Sequence, residues 1–191
     1  MAPLRPTQLI DRFDRRISYL RLSVTDRCDF RCQYCMAETM EFLPRSEVLT
    51  IEELLRTARL FAELGVRKIR VTGGEPLIRR GVHELDSLAL TTNGSQLADF
   101  GHALRDAGVN SINISLDSLQ AERFKAITRI GDLNTVLRGI DRAVECDFDR
   151  IRLNAVILDG LNRDEVVPLT HYALERGIHI AFIEEMPLGQ V

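Results

Sequence analysis

With 191 residues, 45% of them hydrophobic and 28% charged, the chain has the size and composition of one substantial soluble domain and little room for a second. Its formal net charge of −3 supplies no global field for nucleic acid or an anionic membrane. Arg5, Asp11, Arg12, Asp14, Arg15 and Arg16 break up the first residues, and no apolar run has signal-peptide or membrane-spanning length, which predicts a cytoplasmic protein with no nucleic-acid or membrane partner.

The first predicted strand, Ser18–Thr25, has Arg21 and Ser23 on one face and Leu20, Leu22 and Val24 on the other. Directly after it come three of the 4 cysteines, in Cys28-Asp-Phe-Arg-Cys32-Gln-Tyr-Cys35. Three clustered thiols cannot pair off as disulfides, and in a reducing compartment they point to metal. Three thiolates on one loop suit a [4Fe–4S] cube, leaving one iron open for a substrate. Zinc is the competing ion, and it needs a fourth ligand from a distance: His83, His102, His171, His179 or Cys146. Cys146, at the end of an amphipathic helix, reads more simply as a buried structural thiol. Phe30 and Tyr34 are expected to shield a cluster from solvent.

A helix is predicted over Thr50–Leu64, where Ile51, Leu54, Leu55, Ala58 and Phe61 recur at helical spacing behind a capping box of Thr50 and Glu53. The second strand, Val66–Thr72, runs into Gly73-Gly74-Glu75-Pro76. Only Leu77 to Leu85 then separate it from a third strand, Asp86–Thr92, less than parallel strands normally need for a crossover. Such a link holds one or two helical turns and should leave the apolar backs of strands two and three exposed. Helices over Gln96–Ala107, Leu133–Glu145 and Arg163–Arg176 alternate with strands Ser111–Asp117, Arg150–Leu158 and Ile178–Glu184. Gly65, Gly108 and Gly177 fall where helices should stop. This order predicts parallel βα units, in an open sheet or a barrel.

The strands decide between the two. Parallel strands buried on both faces read as continuous apolar runs. Here each of five carries a polar row: Arg21 and Ser23, Arg70 and Thr72, Thr91 and Asn93, Ser115 and Asp117, Arg152 and Asn154. Five polar rows in a dry core are costly. A curved sheet whose concave face lines a wet cavity accounts for them, with the cysteines at its C-terminal mouth.

The C-x3-C-x2-C pattern, with Tyr34 before the last cysteine, resembles the radical S-adenosylmethionine (SAM) superfamily, and Thr72-Gly73-Gly74-Glu75-Pro76-Leu77 fits the same family. Within it, the chain is similar to the GTP 3′,8-cyclases of molybdenum cofactor biosynthesis. Segments Leu20–Cys28, Arg70–Pro76, Leu90–Gly94, Asn113–Asp117, Leu153–Ala155 and Phe182–Gly189 carry that likeness across almost the whole chain. The resemblance implies an α/β fold: a partial (β/α)6 TIM-like radical SAM barrel with a shortened crossover between strands two and three, forming one core domain over residues 1–191. It implies a [4Fe–4S] cluster on Cys28, Cys32 and Cys35, and SAM contacts from Tyr34, Gly74, Ser115 and Met186. GTP contacts fall to Arg21, Arg70, Thr91 and Arg152, the last at a position where many members have lysine. Three arginines on the polar face suit a polyphosphate; ion pairing with Asp or Glu is their ordinary alternative. An external electron donor is implied, and a homodimer is compatible.

The implied chemistry is reductive cleavage of SAM to methionine and a 5′-deoxyadenosyl radical, which takes hydrogen from ribose C3′ of GTP so that the sugar radical attacks guanine C8. The chain also departs from the family. After Cys35 only Cys146 remains, so the family's second three-cysteine cluster cannot be built from these residues, and Met36–Pro44 is short. The sequence thus reads as the N-terminal barrel portion of a GTP 3′,8-cyclase, incomplete as an enzyme. Another radical SAM reaction, or a non-catalytic iron–sulfur-binding remnant, are the alternatives.

Overall fold

A computed structural model describes residues 8–81 and 89–186. Six parallel strands lie side by side in chain order: β1 (Tyr19–Ser23), β2 (Lys68–Thr72), β3 (Ala89–Thr92), β4 (Ser111–Ser115), β5 (Arg150–Ile157) and β6 (His179–Glu184). Five α-helices accompany them: α1 (Ile51–Glu63), α2 (Leu97–Asp106), α3 (Ala121–Thr128), α4 (Leu133–Glu145) and α5 (Val166–Glu175). Among the described residues β1 and β6 do not pair, so the α/β sheet is open, a partial TIM-like barrel as expected.

Local chemistry sets several boundaries. Thr50 caps α1 by accepting from Glu53 N, while the Glu53 carboxylate accepts from Thr50 N at 2.8 Å. Gly65, Gly108 and Gly177 follow α1, α2 and α5 with φ of 94°, 85° and 65°, where a side chain would be strained. The sequence gives no sign of α3, whose eight residues bury only Phe124, Ile127 and Thr128 behind an uncapped N-terminus. Asp86 to Leu88 of the predicted third strand, His83, and Pro187 to Gly189 lie outside the described residues.

Register fixes the faces. In a parallel sheet, paired residues point the same way. Arg21 pairs with Arg70, and Thr91 pairs with Asn113, itself paired with Arg152; Ser115 pairs with Asn154. Those positions form the polar face and stay half-buried or exposed. The opposite face, with Val71, Leu90, Ile112, Ile114, Ile151 and Leu153, joins one core with Leu54 of α1, Leu97 of α2, Val136 and Ile140 of α4 and Leu169 of α5.

One expectation fails. The backs of β2 and β3 are not bare, since Val71 and Leu90 are each only 2% exposed. The described part of the short link supplies the reason in part: it makes one 3-10 turn, Pro76–Ile78, and puts Leu77 into the same core. No described helix is long and apolar enough to cross a membrane.

Candidate active site

The cysteine loop leaves the C-terminal end of β1 and is tied down by most of the strand ends that follow. Cys28 and Cys32 are half-buried and Cys35 is exposed; none forms a disulfide. Phe30 turns into the core beneath the loop. It is 6% exposed and packs edge-on against Phe124 of α3, with ring centroids 6.0 Å apart, anchoring the loop to the core. The Tyr34 hydroxyl donates to Asp117 Oδ2 at 2.8 Å, and Asp117 Oδ1 accepts from Val156 N at 2.8 Å. Asp117, 2% exposed at the end of β4, therefore joins the cysteine loop to β5. Burial pushes its carboxyl up to about 6 and drives the Tyr34 phenol far above its ordinary range.

Two further segments grip the start of the loop. Glu75 N donates to Arg27 O and Gly74 N to Thr25 O, both at 2.8 Å, so the segment after β2 lies backbone to backbone with the residues before Cys28. A Cβ at position 74 would meet the Arg27 carbonyl carbon at 2.6 Å, so only glycine fits. The buried Glu75 carboxylate accepts from Leu77 N (3.0 Å), Thr92 Oγ1 (2.8 Å) and Asn93 N (2.6 Å), locking that segment to the end of β3. Burial raises it to about 7 against the pull of these donors. Beyond β3, Asn93 Nδ2 donates to Asp29 Oδ1 at 2.7 Å and Ser95 Oγ to Asp29 Oδ2 at 2.6 Å.

The donor set fits an iron–sulfur cluster. Burial pushes the Cys28 thiol up to about 11 and Cys32 up to about 12, so as free thiols both keep their protons and are poor nucleophiles. Coordination is what would turn them into thiolates. The distant fourth ligand that zinc requires is not supplied by Cys146. That thiol is buried at the C-terminus of α4, beside His102 Nδ1 of α2 at 3.5 Å, the structural position expected for it. Among the described residues no three Cys, His, Asp or Glu side chains converge closely enough to hold one metal ion.

The polar face is looser. Arg70 Nε donates to Tyr19 OH at 2.7 Å, and its Nη1 lies 3.4 Å from both Leu90 O and Thr91 Oγ1. Arg70 and Thr91 are thus brought together, while Arg21 shares the face as the register partner of Arg70. Arg21 and Arg152 have no hydrogen-bond or ion-pair partner among the described residues. Ser115 is half-buried on this face, and Met186, 64% exposed, follows β6 on the opposite edge of the sheet from β1. The structure therefore gathers Cys28, Cys32, Cys35, Tyr34 and Gly74 at one braced loop. Sequence reasoning missed the braces Asp29, Glu75, Asn93, Ser95 and Asp117. They stood inside the recognised segments, and only their spacing beyond strand ends hinted at a joint task.

A family model described as "Radical SAM superfamily" matches residues 22–173. The chain is 58% identical to a GTP 3′,8-cyclase of Ectopseudomonas mendocina (strain ymp) over 198 residues, covering 98% of this chain and 60% of that protein. It is 55% identical to the GTP 3′,8-cyclase of Saccharophagus degradans, with the same coverage. The chain thus spans about 60% of the length of these curated relatives. The first alignment holds more positions than this chain has residues, so that relative carries residues without a counterpart here. Among solved structures, Streptococcus suis SuiB bound to precursor peptide SuiA superposes with a TM-score of 0.73 at 17% identity, over 89% of this chain and 40% of that one. HydG, a maturase of the [FeFe]-hydrogenase, gives 0.69 at 17% identity over 91% and 44%. These two show the fold alone.

Proposed function

Since the chain belongs to the radical SAM superfamily, we propose that it carries the SAM-cleaving barrel of a GTP 3′,8-cyclase, with a [4Fe–4S] cluster on Cys28, Cys32 and Cys35. The observation that carries this reading is the placement of three unpaired thiols on one braced loop at the C-terminal ends of the strands, beside a sheet face bearing Arg21, Arg70 and Arg152. Bound there, the cluster and SAM supply the electron and the 5′-deoxyadenosyl radical that the superfamily uses.

The protein's own part is to bind and orient. Tyr34, fixed by Asp117, and Gly74, fixed against Arg27, frame the loop for the methionine and adenosine of SAM, with Ser115 and Met186 as further contacts. Arg21 and Arg152 are free cations among the described residues and Arg70 is aimed across β3; together they offer forked donors to a triphosphate, with Thr91 beside Arg70. Positioning of this kind brings C3′ of the ribose to the reacting atom and keeps water out. GTP is the proposed substrate, and a separate electron donor is required.

Anaerobic reconstitution with iron and sulfide, reduction with SAM and GTP present, and product analysis test the proposal. 5′-Deoxyadenosine together with cyclised GTP supports it in full. 5′-Deoxyadenosine alone means a working core uncoupled from GTP. A chain that takes up no cluster favours the remnant reading.

A further inference from the structure

The C-terminus of α3 meets the cysteine loop in an unusual way. Thr128 O accepts from Arg31 N at 2.9 Å, Ile127 O from Gln33 N at 3.0 Å, and Ala126 O from Gln33 Nε2 at 2.6 Å. The last carbonyls of a helix, which have no partner within it, are thus satisfied by the loop that holds the three thiols. The next residue, Arg129, sends Nη1 to Met36 O at 2.9 Å and to Arg31 O at 3.2 Å. Its guanidinium therefore bridges the two ends of the segment containing Cys32 and Cys35. That segment is itself a tight turn, with Cys35 N and Met36 N both donating to Cys32 O.

The backbone of Arg129 is strained to do this. Its φ is 62° and ψ −45°, and Ile130 N donates to Thr128 O at 2.7 Å across it. This is a γ-turn of the rare, positive-φ kind, which L side chains avoid. A helix that merely had to stop would do so with glycine, and Gly131 is only two positions further on. Strain retained at a non-glycine residue calls for a reason in what its side chain does.

We infer that Arg129 is a positioning residue for the cluster: its strained turn holds a guanidinium across Cys32–Cys35, fixing the spacing of two ligands and placing a cation next to the anionic cluster they would bind. The inference rests on the cysteine loop being the cluster site. The clasp lowers the reorganisation needed when the cluster enters, and the cation favours the reduced, more negative state.

Three variants separate this role from plain structural support. Arg129→Gly removes the clasp and relieves the strain, Arg129→Ala removes the clasp and keeps the strain, and Arg129→Lys keeps a cation without the fork. Hydrogen exchange on the metal-free chain should show amides 31–36 opening about tenfold faster or more in the Gly and Ala variants. Arg129→Gly should melt no lower than Arg129→Ala. In reconstituted protein, both should lose iron to a chelator severalfold faster and show a cluster potential shifted to more negative values, and Arg129→Lys should restore the potential but not the exchange protection. Unchanged loop exchange in Arg129→Gly overturns the clasp. An unchanged potential, or iron loss that tracks melting temperature alone, overturns the positioning role. A wild-type chain that binds no iron sinks the proposed function instead, and the exchange comparison still decides the clasp.

Discussion

The loop of Cys28–Cys35 is held by side chains or backbone from the ends of β2, β3 and β4 and from α3, whereas Arg21 and Arg152 on the sheet face have no partner among the described residues. One side is over-determined and nearly rigid; the other is a set of long, solvated side chains. The difference suits the two tasks proposed for these residues. Ligands for a cluster must be preorganised, because misplaced thiols do not coordinate. Cations for a polyphosphate can be recruited by the ligand, at the expense of ordering them on binding.

Substitutions on the two sides should therefore behave oppositely. The largest effect is expected at Cys32→Ala, which should abolish cluster uptake; a variant that keeps its full iron and brown absorbance would remove this cysteine from the ligand set. Next comes Gly74→Ala. Its Cβ would drive into the Arg27 backbone, which cannot yield as a flexible side chain could, and the loss should be about 3 kcal/mol by chemical denaturation. A near-neutral result would mean that the two segments part easily, and the rigidity ascribed to this side would be lost.

Glu75 gives a pH signature on the same side. Asp29, lying near it, also raises its carboxyl, in addition to burial. The folded chain thus holds this proton more tightly than the unfolded chain. The stability so gained is complete below the ordinary value of 4.5 and is lost as pH rises through about 7. Wild-type melting temperature should fall across that window, and Glu75→Gln should flatten the fall. Equal slopes would show the carboxylate to be ionised throughout, held so by its three donors. The smallest effect on stability belongs to the other side. Arg21→Ala and Arg152→Ala should each change stability by no more than about 0.5 kcal/mol. They should nevertheless weaken GTP binding while SAM cleavage persists. A large loss of stability from either would mean that the arginine row is also structural.

The strand faces, the α1 cap, the helix-ending glycines and the cysteine loop could all be read from the sequence, because each is a local pattern: period two, a capping box, a spacing of thiols. What escaped is non-local. Nothing within a few residues of Glu75 or Asp117 says that their carboxylates reach Thr92 or Tyr34, and α3 carries too few apolar residues to declare itself. The buried backs of β2 and β3 were misjudged for a related reason. Link length implies missing cover, whereas Leu77 shares one core with Val71 and Leu90. The resemblance gives Gly74 to SAM, and the structure adds a contact with the chain's own backbone at Arg27.

Strand order that copies chain order has a consequence in time. During synthesis the thiols emerge first, and the arginine that bridges their turn lies 93 residues beyond Met36. At about 5–20 residues per second, the nascent loop waits about 5–20 s for its last brace. For that interval three unprotected thiols face solvent on an unfinished sheet. Iron and sulfide delivered too early would meet a floppy chelator, and an oxidant would meet an easy target. The ribosome's schedule thus favours delivery of the proposed cluster after α3 has docked.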